Sequence, residues 1–269
     1  MKLKHFLTSI ICLLIINSFA QTDLPTDYLS SDFHKERREA LRASMPENSV
    51  AIFFANPVRN RANDVDYVYH QDPNFYYLTG YNEPNTMLLI FSNDQVEGDK
   101  AYNEIIYVRK RHPQYEMWTG RRLGVEGVAK MGFDQVFNGE DFEGSSIDFT
   151  TFDKVLFKDF KNDIRDSKRD KADLYNLIEQ FKIKVNYQAS ESNIPVGDNV
   201  VDVSTNIDIT SLRTLMANLR EIKTQDELVL LKKAVEISAV GQIEIMKAMH
   251  PNMSEAEIQG VHEFVYKKY

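Results

Sequence analysis

Residues 49–55, SVAIFFA, form a short unbroken run rich in Val, Ile and Phe. A run of this length and composition, closed by turn-forming residues, reads as a buried strand. Upstream, Asp32 to Met45 places Phe33, Arg37, Leu41 and Met45 on one face with charges elsewhere, the pattern of a helix stopped by Pro46-Glu47-Asn48. Downstream, Thr86–Phe91 and Glu104–Val108 are two further candidate strands, and the polar, turn-rich stretch Asn93–Asn103 reads as a hairpin-like connection between them. Val125–Met131 predicts a short helix, Phe133–Phe137 and Val155–Phe157 short strands, Asp173–Lys182 a helix and Lys184–Tyr187 another short strand. Strands interleaved with helices in this way give an α/β fold.

The composition is that of a folded chain: 43% hydrophobic and 27% charged over 269 residues, which excludes a disordered tail or a disulfide-framed miniprotein. The length fits one or two domains. Lys and Arg number 32 against 40 Asp and Glu, a net charge of −8, which argues against nucleic-acid or anionic-membrane partners. Lys2 and Lys4 precede an apolar run from Phe6 to Ile16, and Ser18-Phe19-Ala20 supplies the small residues of a cleavage site before Gln21. The apolar run is shorter than the ~20 residues needed to span a bilayer, so residues 1–20 read as a signal peptide. The protein is expected to be exported, periplasmic or secreted, and free of the membrane after cleavage. Its one cysteine, Cys12, lies inside that segment, which leaves the mature chain without a thiol nucleophile, a thiolate metal site or a disulfide.

Residues 158–173 alternate in charge and read as a solvated face, and 188–210 suit a surface loop leading to a boundary. Ser211–Glu221 is helical. Thr224 and Glu227 have capping-box spacing ahead of a long helix from Asp226 to Met249, in which Leu228, Leu231, Val235 and Ala239 form an apolar row. His250-Pro251-Asn252-Met253 breaks it, and Ser254 with Glu257 caps a second helix carrying Ile258, Val261, Val265 and Tyr266. The helical pattern still runs at Tyr269, without a glycine cap. The expected organisation is therefore a signal peptide at 1–20, an α/β domain over 21–210, and from 211 to 269 the opening of a second domain.

Common catalytic signatures fail. There is no G-x-S-x-G elbow and no glycine-rich phosphate loop. His262-Glu263 begins a zinc-helix motif, but Tyr266 stands where the second histidine is needed, so His262 reads as a helix-surface residue. Asp64-Val65-Asp66 is either a pair of ligands for a hard cation or a loop end tied to backbone and to Arg59 or Arg61. Arg121-Arg122 either grips a carboxylate or holds the domain through ion pairs. Trp118, beside Glu116 and these arginines, reads as a partly exposed interface anchor. Residue chemistry alone gives no complete active site.

Three blocks together are specific: RANDVDYVYHQDPNFYYLTGYNEP (Arg61–Pro84), YEMWTGRRLG (Tyr115–Gly124) and LREIKTQDELVLLKKAVEIS (Leu219–Ser238). Their order and spacing resemble aminopeptidase P, the Xaa-Pro aminopeptidases of the creatinase/prolidase superfamily, peptidase family M24. The resemblance implies a ribonuclease-H-like N-terminal domain with a mixed sheet, followed by a pita-bread domain whose first helices begin at Asp226 and Ser254. It implies hydrolysis of peptides with proline at the second position, by two metal ions, usually manganese (Mn2+), that bridge a hydroxide. In the family order the metal ligands lie beyond Tyr269, so this chain would hold neither catalytic nor metal residues and would be inactive alone. The resemblance further implies a homo-oligomer, dimer or tetramer, in which Trp118 and Asp64 stand near a neighbour's active-site mouth, with Arg121 and Arg122 as further channel or interface candidates. Gly241-Gln242 departs from the Ala-His that some members carry. A non-catalytic oligomerisation or peptide-binding module and a prolidase-like dipeptidase are the alternatives.

Overall fold

The computed structural model describes residues 28–160, 164, 172–187 and 206–269. The signal peptide, most of the charged stretch at 158–173 and most of the loop at 188–210 lie outside the described residues. In chain order the elements are α1 (Ser31–Ser44), β1 (Ser49–Phe54), β2 (Asn60–Ala62), β3 (Val65–Asp66), α2 (Pro73–Thr79), β4 (Met87–Glu97), β5 (Lys100–Val108), α3 (Pro113–Thr119), α4 (Gly124–Ala129) and β6 (Gln135–Asn138). They continue with β7 (Lys154–Leu156), α5 (Leu174–Val185), β8 (Ile207–Asp208), α6 (Ser211–Glu221), α7 (Gln225–Ala248) and α8 (Glu255–Lys268).

The strand read from SVAIFFA lies inside a six-stranded sheet of order β6-β5-β4-β1-β7-β8. β1 runs antiparallel to β4, with Val50 opposite Phe91, and parallel to β7, with Ser49 opposite Lys154. β4 and β5 are antiparallel, while β5–β6 and β7–β8 are parallel, so the sheet is mixed. Val50, Ile52, Leu89, Tyr107 and Val155 share one face and pack against Leu177, Phe181 and Val185 of α5 and against Phe142, Phe149 and Phe152. Pleating turns Ala51 and Phe53 to the other side, and both are buried. α1 packs on β4, α2 and α6.

The least expected part of this framework is polar. Arg38 of α1 is 1% exposed. Its Nε and Nη2 donate to the two carboxylate oxygens of Glu104 on β5 at 2.5 and 3.0 Å. Its remaining donors reach Leu78 O at 2.9 Å and Gly132 O at 3.1 Å. A buried charge survives only when paired and bonded in this way. Beside it, His34 is buried with Nδ1 2.9 Å from Tyr77 O. Burial holds its pKa below the ordinary imidazole value.

Three expectations are corrected. The hairpin-like connection expected over 93–103 is a hairpin, but with a far shorter loop: β4 continues to Glu97 and β5 starts at Lys100, joined by a two-residue turn in which Gly98 takes φ +61°. Lys184–Tyr187 is not a strand, because α5 runs to Val185 on the spacing Leu174, Leu177, Ile178, Phe181, Val185 and stops at Asn186 in the left-handed region. α6 belongs with the first unit, which spans Ser30–Thr224, so the division falls after this helix and not before Ser211. Asp208 explains where α6 begins, since its Oδ1 accepts from Thr210 N and Ser211 N at 2.9 and 2.8 Å.

The second unit comprises α7 and α8. α8 starts with the capping box read from sequence: Ser254 Oγ accepts from Glu257 N at 3.3 Å and Glu257 Oε2 accepts from Ser254 N at 2.8 Å. The two helices close on each other where Gly241 faces the His262 ring. Leu228, Leu231 and Val235 of the α7 apolar row are exposed. Among the described residues no helix is long and apolar enough to cross a membrane.

Candidate functional site

The chain leaving β1 makes the small β2–β3 hairpin, turned by Asn63 at φ +49°, with Asp64 exposed beside that turn. Asn60 Nδ2 donates to Asp66 Oδ1 at 3.2 Å, and Tyr67 N returns to Arg59 O at 2.8 Å. Tyr69 OH then donates to Asn56 O at 3.1 Å, which ties the hairpin's exit to the end of β1. Burial pushes the Tyr69 phenol well up, so the group stays a neutral donor.

Gln71 joins three segments. Its Oε1 accepts from Asn56 N and Asp72 N, each at 2.9 Å. Its Nε2 donates to Glu83 O at 3.0 Å and Tyr81 O at 3.3 Å. Asp72 caps α2 through Asn74 N and Phe75 N, with Pro73 at the first helical position where its missing N–H costs nothing. Past α2, Tyr81 OH donates to Glu83 Oε2 at 2.8 Å, and Leu123 N donates to Glu83 Oε1 at 2.8 Å. Glu83 therefore connects the Arg61–Pro84 block to the Tyr115–Gly124 block.

In that second block, α3 follows β5 after the basic run Arg109-Lys110-Arg111-His112. Arg111 Nη2 is 3.0 Å from Glu116 Oε2, and His112 N donates to Glu116 Oε1 at 2.8 Å. The Arg111 guanidinium, helped by the N–H groups of His112 and Arg122, brings the Glu116 carboxyl down to about 2. None of the α3 residues is buried as a whole, and only the Glu116 side chain, covered by its ion pair, is withdrawn from solvent. Met117 is 78% and Trp118 87% exposed.

The structure thus separates the residues singled out by sequence. Trp118 and Arg121 present to solvent, whereas Arg122 is buried with Nη1 donating to Lys110 O at 2.9 Å, so it braces the loop. Asp64 and Asp66 are exposed. His262 lies against Tyr266, ring centroids 4.3 Å apart, and a Cβ on Gly241 would stand 2.5 Å from its ring. Among the described residues no group of three or more His, Cys, Asp or Glu could hold a metal ion, and these residues do not fit a metal centre. Gln71 and Glu83 were not singled out by sequence, although both lie inside the quoted 61–84 block. Their polar side chains carry no period, and only the fold shows what they meet.

Residues 34–150 match the family model of the aminopeptidase P N-terminal domain. Xaa-Pro aminopeptidase of Haemophilus influenzae is 32% identical over 88% of this chain and 48% of its own length. The Escherichia coli K12 Xaa-Pro aminopeptidase is 26% identical over 88% of this chain and 49% of its own. Among solved structures, aminopeptidase PepP from Pseudomonas aeruginosa superposes with a TM-score of 0.69 at 25% identity, over 90% of this chain and 50% of that one. Aminopeptidase P from E. coli in complex with the inhibitor Pro-Leu superposes at 0.68 with 23% identity, a likeness of fold, over 89% of this chain and 50% of that one. The chain spans about half the length of the curated relatives it matches. Family model, relatives and fold agree: the chain corresponds to the N-terminal part of aminopeptidase P, with residues 34–150 as that family's N-terminal domain.

Proposed function

We propose that this chain is the N-terminal part of an exported, manganese-dependent Xaa-Pro aminopeptidase that releases an N-terminal residue preceding proline. Its own role is to present contacts to a neighbouring subunit in a homo-oligomer. The observation that carries this reading is Trp118, 87% exposed on a short helix within the block typical of the family. A large indole held in water on a helix fixed by the Arg111–Glu116 ion pair is the profile of an interface anchor. Arg121 stands exposed beside it, and Asp64 lies on the hairpin that Gln71 and Glu83 tie to the same framework. On this reading the parent enzyme's metal-binding residues lie outside this chain, and the chain alone is expected to be inactive.

The test compares the 269-residue chain with the product of its whole coding region on Xaa-Pro and Xaa-Ala peptides with Mn2+. The expected result is release of the first residue from Xaa-Pro peptides by the whole product alone. Cleavage by the 269-residue chain, or none by the whole product, refutes the proposal. In sedimentation experiments on the active product, Trp118→Ala should raise the subunit dissociation constant about thirtyfold, the effect of losing one hot-spot aromatic.

A further inference from the structure

The helix bearing Trp118 has little reason to stay where it is. α3 is seven residues long and, apart from the ion-paired Glu116 side chain, exposes its residues, so neither intrinsic helicity nor an apolar packed face fixes it. Its start is held by Glu116 through Arg111 and His112 N, and its exit by Arg122 on Lys110 O. Both bonds close the loop upon its own residues. The bond from Leu123 N to Glu83 is of another kind, because it reaches across 40 positions to a different block.

We propose that Glu83 is a positioning residue: its carboxylate fixes the Trp118 helix against the loop that carries the Asp64 hairpin. One oxygen accepts from Leu123 N, at the far end of the α3 loop. The other accepts from Tyr81 OH, whose ring is fully buried, so the carboxylate is anchored to the core. The Glu83 backbone carbonyl accepts from Gln71 Nε2, and the Gln71 amide also meets Asn56 at the end of β1. A rigid path therefore runs from the central strand through Gln71 and Glu83 to Leu123, five residues past Trp118. A carboxylate suits the task because a charge-assisted bond to a backbone N–H is about twice as strong as a neutral one. The functional meaning of this clamp rests on the reading of Trp118 as a subunit contact, while the clamp itself does not.

Amide hydrogen exchange on the intact chain tests it. In Glu83→Ala, exchange across residues 113–124 should accelerate at least tenfold, the effect of losing a bond to a charged acceptor, with the β1, β4 and β5 amides unchanged. Glu83→Gln keeps an acceptor for Leu123 N and a partner for Tyr81 OH, and should stay within about threefold of the parent, between neutral and charged bond strengths. No local acceleration in Glu83→Ala, or an acceleration spread evenly over the sheet, overturns the proposal. Should Glu83→Ala fail to fold, the parent protein decides the matter by NMR. The Leu123 amide belongs to a solvent-exposed residue, and exchange at its intrinsic rate overturns the proposal. Trp118→Ala, run in parallel, should leave Leu123 protection intact whatever it does to assembly, which separates failure of the clamp from failure of the interface reading.

Discussion

Gly80→Ala puts the packing of α1 on α2 to a direct test. Gly80 ends α2 at φ +65° and ψ 5°, in the left-handed region. A side chain there costs about 1–2 kcal/mol. Space is a second obstacle: a Cβ at this position would lie 2.6 Å from Nε2 and 2.7 Å from Cδ2 of His34. His34 cannot swing aside freely, since Nδ1 is bonded to Tyr77 O and its ring packs edge-on to Phe33 and Tyr76. Forcing extra volume into such a site costs about 1–3 kcal/mol. The two contributions make Gly80→Ala about 2–5 kcal/mol less stable. Urea unfolding followed by far-UV circular dichroism measures it, because the exposed Trp118 is a poor reporter of unfolding. The decisive comparison is a cycle with His34→Ala. Removing the ring makes room for the methyl, so the double variant should lie about 1–3 kcal/mol above the sum of the singles. Additivity within about 0.5 kcal/mol would show that the ring and the glycine are not the coupled pair described.

Other outcomes follow from the same framework. Arg38→Met leaves the Glu104 carboxylate buried and unpaired and should lose about 3–5 kcal/mol, whereas Arg38→Met with Glu104→Leu should recover most of that loss, both read from urea midpoints. His34 is held neutral by burial, so the unfolded chain binds the proton more tightly. Its contribution is intact above the unfolded value near 6.5 and is lost as pH falls below it toward the lower folded value; His34→Gln should flatten that part of the stability–pH curve. Ser254→Ala removes the cap of α8 and should cost about 1 kcal/mol, seen as roughly fivefold faster amide exchange over residues 255–268.

The sequence showed this architecture best where chemistry is local. SVAIFFA became a central strand, the Ser254–Glu257 box a helix start, and Ser211–Glu221 a helix with the same limits. The hairpin between β4 and β5 is legible in the polar stretch 93–103, but the length of its strands is not, because the side chains beyond the core are mostly exposed and leave no apolar alternation. The end of α5 is ambiguous in the sequence because Val185 belongs equally to a period of two and a period of four, and what decides is that it packs with Phe181 in the core. Arg38 and Glu104 are 66 positions apart, and nothing in either neighbourhood announces burial. In the site, an exposed Trp118 was readable from its charged neighbours, and Glu83 was not, because its role depends on a backbone amide 40 residues away.

The mixed sheet also bears on how the chain assembles. β4 and β5 meet across a two-residue turn and can pair as soon as both exist. β1 can then add to β4, but its other edge waits for β7, which pairs Ser49 with Lys154. Closing so long a loop is entropically dearer and slower than closing a hairpin. During synthesis, therefore, one side of β1 stays open until residues 154–156 have emerged. A half-built sheet with an apolar strand at its free edge is a template for pairing with the wrong chain. Misassembly of this protein should begin at the β1 edge, and the strand that reveals the fold in the sequence is also the one most in need of protection while it forms.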